Sequence, residues 1–395
     1  MNPTLITDNK FSNQTLSSKQ DDKKPFYRGY KYRIYPNKAQ QKLIEQTING
    51  CFAVYNYFLE VRERLWEKQR QRLTYTQMAG RLSALKKTSR FSFLKEADSM
   101  ALQEVLRDLD TAFENFLRKR ANYPRVKGKR GSKQKYRTRN QNHCIRIVDG
   151  KLRLPRLGLM RIKLHRSFEG RICFATIQKT ATGKYFVSLC VEQERELLQR
   201  SNRGGEVGID VGLEDFYTDS NGDSTANPHI LKKYQKQIAR EQSRLSRTTI
   251  NSRNWKKRYQ RLARIHEKIT NARKDFLHKQ SIQLVRENEL IAVEYLKIKN
   301  MMTLHTLAKA IADVSWREFF WQLEYKGAMH GTKIIKIPTY FPSSQICHVC
   351  GYINYKVKNL SIRNWTCPHC HTENLDRDTN AAINILARAK KFLKN

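Results

Sequence analysis

Cys347-His-Val-Cys350 and Cys367-Pro-His-Cys370, separated by sixteen residues, run directly into Leu375-Asp-Arg-Asp-Thr-Asn-Ala-Ala382. Two Cys-x-x-Cys pairs at this spacing bring four thiolates within reach of one tetrahedral ion, the ligand set of a zinc ribbon. Two disulfides, or a redox pair, would be the competing reading. The pairs are flanked by polar or turn-forming residues (His348, Gly351, Pro368, His371), however, and nothing else in the chain looks secreted. A ribbon this small has too little core to fold alone, so zinc binding and local folding are expected to be coupled.

The 395 residues suffice for two or three domains, and 39% hydrophobic residues suffice for their cores. Lys and Arg number 76 against 36 Asp and Glu, a formal +40 that exceeds what solubility requires and points to a polyanionic partner. Nucleic acid is the expected polyanion. A membrane is not expected, because no apolar run approaches the ~20 residues of a spanning helix and no signal-peptide core follows Met1. Outside the ribbon, Cys51, Cys144, Cys173 and Cys190 read as small buried hydrophobes in a reducing cytoplasm.

Residues 1–24 carry almost no apolar pattern and are expected to form a disordered tail. In Tyr27-Arg-Gly-Tyr-Lys-Tyr-Arg-Ile-Tyr-Pro36, residues Tyr30, Tyr32 and Ile34 alternate with Lys31, Arg33 and Tyr35, the period of a half-buried strand. Leu43, Ile44, Ile48, Cys51, Val54, Tyr55 and Phe58 then keep helical spacing, and two further helical patterns cover 76–86 and 99–119. Residues 121–140 are almost purely cationic, with Tyr123 and Tyr136 between the charges. This stretch reads either as a solvated linker or, as the net charge favours, as a phosphate-contacting and base-stacking segment. The candidate nucleic-acid contacts are Tyr30, Lys31, Tyr32, Arg33, Tyr123, Arg125, Lys127 and Arg137. Short alternating strands broken at Gly150, Gly158, Gly170 and Gly183 fill 144–192, and the strand at Tyr30 is expected to join their sheet.

After the linker Ser201-Asn-Arg-Gly-Gly205, Glu206-Val-Gly-Ile-Asp-Val-Gly-Leu213 reads as a strand with Asp210 among apolar residues. A charge in that setting is costly unless paired or holding a metal, and Gly208 and Gly212 would let another backbone approach closely. Phe216 to Gly222 looks like the antiparallel return of a hairpin. Residues 231–274 hold fifteen Lys or Arg against two Glu at helical spacing, the pattern of a basic helix or helix pair that could wall a nucleic-acid channel. Glu294 ends the apolar strand Glu289-Leu-Ile-Ala-Val-Glu294, a common place for a site residue and equally for an ordinary charged strand end. Asp378 stands at the mouth of the last helix, where a lone Asp would be a simple N-cap. Three such carboxylates in a nucleic-acid-binding chain change that balance, because phosphodiester hydrolysis with hard divalent ions needs oxygen ligands that clamp two cations.

With these residues the chain resembles the TnpB (OrfB) family of insertion-sequence nucleases related to type V CRISPR effectors. The likeness runs from Tyr27 to Leu386. It rests on Tyr30-Lys-Tyr-Arg-Ile-Tyr-Pro36, Asn122-Tyr-Pro-Arg-Val-Lys127, Val207-Gly-Ile-Asp-Val-Gly-Leu213, Val293-Glu-Tyr-Leu296 with Asn300-Met301, Gln322-Leu-Glu-Tyr-Lys326, Phe341-Pro-Ser-Ser344 and Asp376-Arg-Asp-Thr-Asn-Ala-Ala382. The resemblance implies an α/β multidomain protein: a β-rich wedge domain (25–37 and 138–200) containing an inserted helical recognition domain with its basic linker (38–137). An RNase-H-like RuvC nuclease domain (201–340) would follow, interrupted by the zinc ribbon (341–374) before its final segment (375–395). Asp210, Glu294 and Asp378 then fall on the family's catalytic, magnesium-binding carboxylates, and Cys347, Cys350, Cys367 and Cys370 on its zinc ligands. The implied activity is RNA-guided cutting of double-stranded DNA beside a short flanking motif, with a guide RNA from the transposon end. The expected location is the bacterial cytoplasm, at the nucleoid. Oligomeric state stays open, a monomer with RNA being the expectation. One departure is His371, which stands where the family usually has Gly. The approach to Asp376 is also a residue longer than expected, which leaves Asp376 as a weaker candidate for the third ligand.

Two other classes compete. A nuclease-dead, guide-dependent binder would have lost carboxylates, whereas all three acids are present. A zinc-containing DNA-binding accessory protein of the transposon would bind without a guide and would not depend on Asp210. A transposase proper is not expected, since no His-x-His is joined to a downstream Tyr nucleophile.

Overall fold

The computed structural model describes residues 26–128, 134–193, 204–303 and 305–394. The expected tail at 1–24, the middle of the cationic stretch and most of the 201–205 linker lie outside them. The chain divides into two compact units, Met1–Arg195 and Glu196–Asn395.

In the first unit, β1 (Phe26–Tyr35) buries Tyr30, Tyr32 and Ile34 on one face. The helix α1 (Lys38–Gln69) starts at a capping box, in which Asn37 Oδ1 accepts from Gln40 N at 2.8 Å and Gln40 Oε1 accepts from Asn37 N at 3.0 Å. Two further helices, α2 (Tyr75–Leu85) and α3 (Ser99–Leu117), lie between β1 and the rest of its sheet in the sequence. The other strands are β2 (Lys135–Arg139), β3 (Arg146–Val148), β4 (Lys151–Leu154), β5 (Gly158–Lys163), β6 (Arg171–Lys179) and β7 (Tyr185–Gln193). They form one seven-stranded sheet in the order β2-β6-β7-β1-β5-β4-β3, so the first strand is central and antiparallel to both neighbours. The strand β2 lies inside the stretch that charge alone marks as linker. Its period shows only in Tyr136 and Thr138, which are buried between Lys135, Arg137 and Arg139. The buried Glu104 on α3 holds β2 by ion pairs to Arg139 at 2.5 Å and Arg137 at 3.7 Å. Of the four cysteines expected in cores, only Cys51 is fully buried; Cys144, Cys173 and Cys190 are half-buried. Cys190, for example, is on the outward face of β7.

In the second unit, β8 (Gly205–Asp210) turns into β9 (Asp215–Asp219) and β10 (Ser224–Ala226). The basic stretch forms a helix pair, α4 (Ile230–Ser246) and α5 (Arg253–Glu287), linked by Arg258 of α5 at 3.8 Å from the buried Glu241 of α4, which Arg244 of the same helix also pairs at 3.0 Å. Then come β11 (Asn288–Glu294), α6 (Ile298–Met301), α7 (His305–Val314), α8 (Trp316–His330) and β12 (Lys333–Ile337). The last elements are β13 (Asn364–Trp365), β14 (Leu375–Asp376) and α9 (Arg377–Lys394). The main sheet runs β10-β9-β8-β11-β12, with β8, β11 and β12 parallel and β9 and β10 antiparallel. Phe216 is its packing centre, meeting Phe319 of α8 and Phe276 of α5 edge-on at 4.8 and 4.9 Å between ring centroids.

The helix α9 lies directly on β8. A Cβ at Gly208 would sit 2.0 Å from Ala382 O and 2.9 Å from Leu386 N, so only glycine permits this approach. Gly208→Ala is therefore expected to force α9 off the strand and to cost ~2–3 kcal/mol. Urea unfolding of the purified protein measures that loss, and an unchanged midpoint would show that α9 does not depend on the contact.

Candidate active site and metal centre

Parallel pairing of β8 with β11 sets Ile209 opposite Val293, so the next residues, Asp210 and Glu294, stand side by side at the C-terminal ends of two central strands. Asp378 enters from the first turn of α9, the helix that Gly208 admits onto β8. It is not the cap. Asp376 Oδ1 accepts from Thr379 N at 2.8 Å and does the capping, which leaves the Asp378 carboxylate for the site. Asp376 is exposed.

Asp210 feels the other two acids. Burial, and then the charges of Glu294 and Asp378, push the Asp210 carboxyl well above the usual range, and no hydrogen bond to its carboxylate counters this among the described residues. Burial raises Glu294 and Asp378 as well. The Ser343 hydroxyl donates to Glu294 Oε1 and partly offsets its rise. Arg363 Nη1 lies 3.2 Å from both oxygens of Asp378, and its Nη2 lies 2.6 Å from Glu214 Oε2. A half-buried acid without a hydrogen-bond donor, flanked by two further carboxylates, is an all-oxygen donor set that hard divalent cations favour. The set is more open than the thiol cluster, because among the described residues only the four cysteines gather three or more ligand atoms within 4.8 Å of one another. An open set suits two ions ~3.5–4 Å apart rather than one enclosed ion.

The sulfurs of Cys347 and Cys370, and those of Cys350 and Cys367, are each 3.7 Å apart. Ligands ~2.3 Å from one tetrahedral zinc would be separated by about 3.8 Å, so the four thiols fit that ion and are too far apart for disulfides. The two knuckles repeat one design. Gly351 N donates to Cys347 O at 2.9 Å and His371 N to Cys367 O at 3.0 Å, each from a left-handed residue with φ of 78° and 56°. His371 thus occupies a conformation that glycine fills without strain, at a cost of ~1 kcal/mol and no loss of ligand.

Sequence reasoning missed the residues that join these centres. Asn380, buried on α9, accepts from His348 N at 3.0 Å and donates to Ile346 O at 2.7 Å. One turn on, Asn384 donates to Ser343 O at 2.9 Å, so the helix that carries Asp378 also grips the segment that holds Glu294. Two buried Asn four residues apart on a helix were the available signal. Arg363 had none, because its partners lie far away in sequence.

The candidate nucleic-acid contacts divide. Tyr30 and Tyr32 are 4% and 0% exposed and form core rather than surface, since β1 points them inward. Lys127 is committed as well: its ammonium sits 3.6 Å from the Tyr55 ring centre, and its backbone pairs with the Asn56 amide. Arg137 is taken by Glu104 and Asp108. Lys31 and Arg33 face outward with exposed Tyr35, both cations lying over the Phe186 ring. Arg125 is exposed. Tyr123 is also exposed and stands edge-on to Phe113 and Phe116.

Known proteins resemble this chain along most of its length. A protein of Streptomyces pristinaespiralis named as an RNA-guided DNA endonuclease is 37% identical over 91% of this chain and 89% of its own length. The chain belongs to the TnpB family. A second relative, InsQ of Escherichia coli K12, also named as an RNA-guided DNA endonuclease, is 31% identical over 92% of each chain. TnpB-like protein L770 of Acanthamoeba polyphaga mimivirus is 24% identical over 91% of this chain and 73% of its own. Family models match at 188–305 ("Probable transposase"), 316–385 ("Cas12f1-like, TNB domain") and 26–71 ("Helix-turn-helix domain"). In this member, 26–71 forms one strand and one uninterrupted helix. The fold is mixed α/β and resembles Cas12f1 in its cryo-EM complex with sgRNA and target DNA, with a TM-score of 0.53 at 12% identity over 91% of this chain and 98% of that one.

Two outcomes follow for these two candidate centres. Carboxyls raised above their unfolded values favour the protonated fold, so the metal-free protein loses stability as pH rises through their folded-state range. At neutral pH Asp210→Asn is expected to raise the metal-free Tm by ~2–4 °C, the shift that about 1 kcal/mol produces in a unit of this size. A calorimetric melt without divalent ions measures it, and a lowered Tm would mean that the carboxylate stabilises the fold. Chelation of zinc should release one ion per chain and open 341–376 to protease before the rest. An unchanged digestion pattern would sink the ribbon assignment.

Proposed function

We propose that this chain is an RNA-guided DNA endonuclease that hydrolyses phosphodiester bonds at Asp210, Glu294 and Asp378 with magnesium. The observation that carries the reading is the convergence of these acids, from two parallel strand ends and a helix start, onto one patch where the charges of Glu294 and Asp378 both bear on Asp210. Relatives named as RNA-guided DNA endonucleases support the same activity. On this reading the five-stranded sheet is the RuvC, RNase-H-like core over 201–340, completed by 375–395 after the zinc ribbon at 341–374. The seven-stranded sheet is the wedge, and residues 38–137 form the recognition insertion.

Magnesium bound at the three carboxylates would supply an activated water and a stabilised leaving oxygen. The chain's own part is positional. Gly208 sets the height of α9 over β8, Ser343 orients Glu294, and Asp376 caps the helix so that the Asp378 side chain is left for the metal. Guide RNA from the transposon end pairs with one strand of the target, while the protein contacts backbone and a short flanking motif. The helix pair α4–α5 and the outward residues Lys31, Arg33, Tyr123 and Arg125 are the proposed nucleic-acid contacts, in a protein that works in the cytoplasm at the nucleoid. Among the described residues no helix is long and apolar enough to cross a membrane.

Plasmid cleavage with protein co-expressed with RNA from the end of its own gene tests the activity. Wild type is expected to cut a guide-matched target beside one motif selected from randomised flanks, and Asp210→Ala to cut at least ~10³-fold more slowly. Equal rates in the two proteins would refute the assignment. RNA affinity should fall steeply with salt. Arg125→Ala should weaken it and reduce the log–log salt slope by about one. An unchanged slope would remove Arg125 from the contacts.

A further inference from the structure

Arg377 and Arg363 both lower the repulsion felt at Asp210, and among the described residues Arg363 is the arginine whose guanidinium contacts the carboxylate patch. Its Nη1 spans both oxygens of Asp378 at 3.2 Å, while Nη2 is held from the other side by Glu214 Oε2 at 2.6 Å. Backbone pairing fixes this placement. Asn364 is opposite Asp376 in the β13–β14 ladder, and Arg377 N donates to Arg363 O at 2.7 Å. Arg363 therefore stands across a two-strand ribbon from the first turn of α9, and the zinc-ribbon limb on which it sits delivers it to Asp378. The side chain itself is only lightly packed, with 46% of its surface exposed against 31% for Asp378 and 80% for Glu214. It is thus free to leave without unpacking a core.

We propose that Arg363 is a resident counter-cation at Asp378, which a divalent ion must displace before the three carboxylates can act as a metal site. A guanidinium and a divalent ion on the same carboxylate would stand within a few ångströms, where their repulsion is strong in a partly desolvated site. Metal loading and the Arg363–Asp378 pair therefore exclude each other. Glu214 sits in the exposed turn after β8 and keeps the displaced arginine at the rim of the site. Without metal, Arg363 offsets part of the repulsion among the acids; with metal, that role passes to the ion. The inference rests on the reading that Asp210, Glu294 and Asp378 hold divalent cations.

Manganese binding to the zinc-loaded, full-length protein without RNA, followed by electron paramagnetic resonance at fixed ionic strength, separates the two. Arg363→Gln is expected to bind Mn²⁺ about five-fold more tightly than wild type, the scale of one partly exposed ion pair. Arg363→Lys keeps the charge but cannot bridge Asp378 and Glu214 with two nitrogens, so it is expected to fall between wild type and Arg363→Gln. Asp210→Asn should lose the site. Zinc content of one ion per chain and a retained cooperative melt show that each variant keeps its ribbon and its fold. If Arg363→Gln binds Mn²⁺ no better than wild type, or more weakly, while Asp210→Asn abolishes binding, the counter-cation role is overturned and the metal site stands. If wild type and Asp210→Asn bind alike, the metal-site reading fails and this inference fails with it.

Discussion

The second unit depends on a place where a side chain is missing. At Gly208 the carbonyl of Ala382 comes so close to the strand that even a methyl group would collide, and nearly everything about the site follows from that height. The strand brings Asp210, its parallel neighbour brings Glu294 in register, and the helix brings Asp378 from far downstream. A helix seated further out would leave two carboxylates on a sheet edge and a third in solvent.

Bringing three acids together works against stability, and the surrounding residues show how the fold tolerates it. The Ser343 hydroxyl steadies Glu294, and Arg363 and Arg377 lower the charge repulsion felt at Asp210. Asn384 holds the backbone of Ser343, so a change at α9 is transmitted to Glu294 through two hydrogen bonds. These polar links are buried or half-buried, where an unmatched partner is expensive, so the arrangement is maintained as a unit.

Much of this was legible in the sequence, for identifiable reasons. Thiol spacing and an acid among apolar residues are local signals of chemistry that few other structures require, and the four cysteines and Asp210 were singled out that way; Glu294 and Asp378, each open to an ordinary reading alone, gained weight only as part of the set of three. Gly208 was readable as a point of close approach, though not what would approach. The outer strand face was not read correctly: the alternation in Tyr30-Lys-Tyr-Arg-Ile34 identified a half-buried strand, and that pattern already sends Tyr30 and Tyr32 inward. Aromatic chemistry suited to stacking says nothing about exposure. Lys127 and Arg137 show the same limit for charge, because a basic stretch read as phosphate-binding also supplies internal partners to Tyr55, Glu104 and Asp108. Arg363 was out of reach, since its importance depends on contacts that only the folded chain brings together.

The zinc centre, finally, is more than a clasp on a small insertion. Its four thiols tie 347–350 to 367–370, the second knuckle leads within five residues into β14, and β14 continues without a loop into α9. The first knuckle is joined to the same helix through His348 and Asn380. Ion binding therefore fixes both approaches to the start of α9, and the start of α9 is where Asp378 sits. A ribbon that folds only around its ion lends that folding energy to the geometry of a site it does not itself contain. The carboxylates then need no tight cage of their own and stay more open than the four thiols.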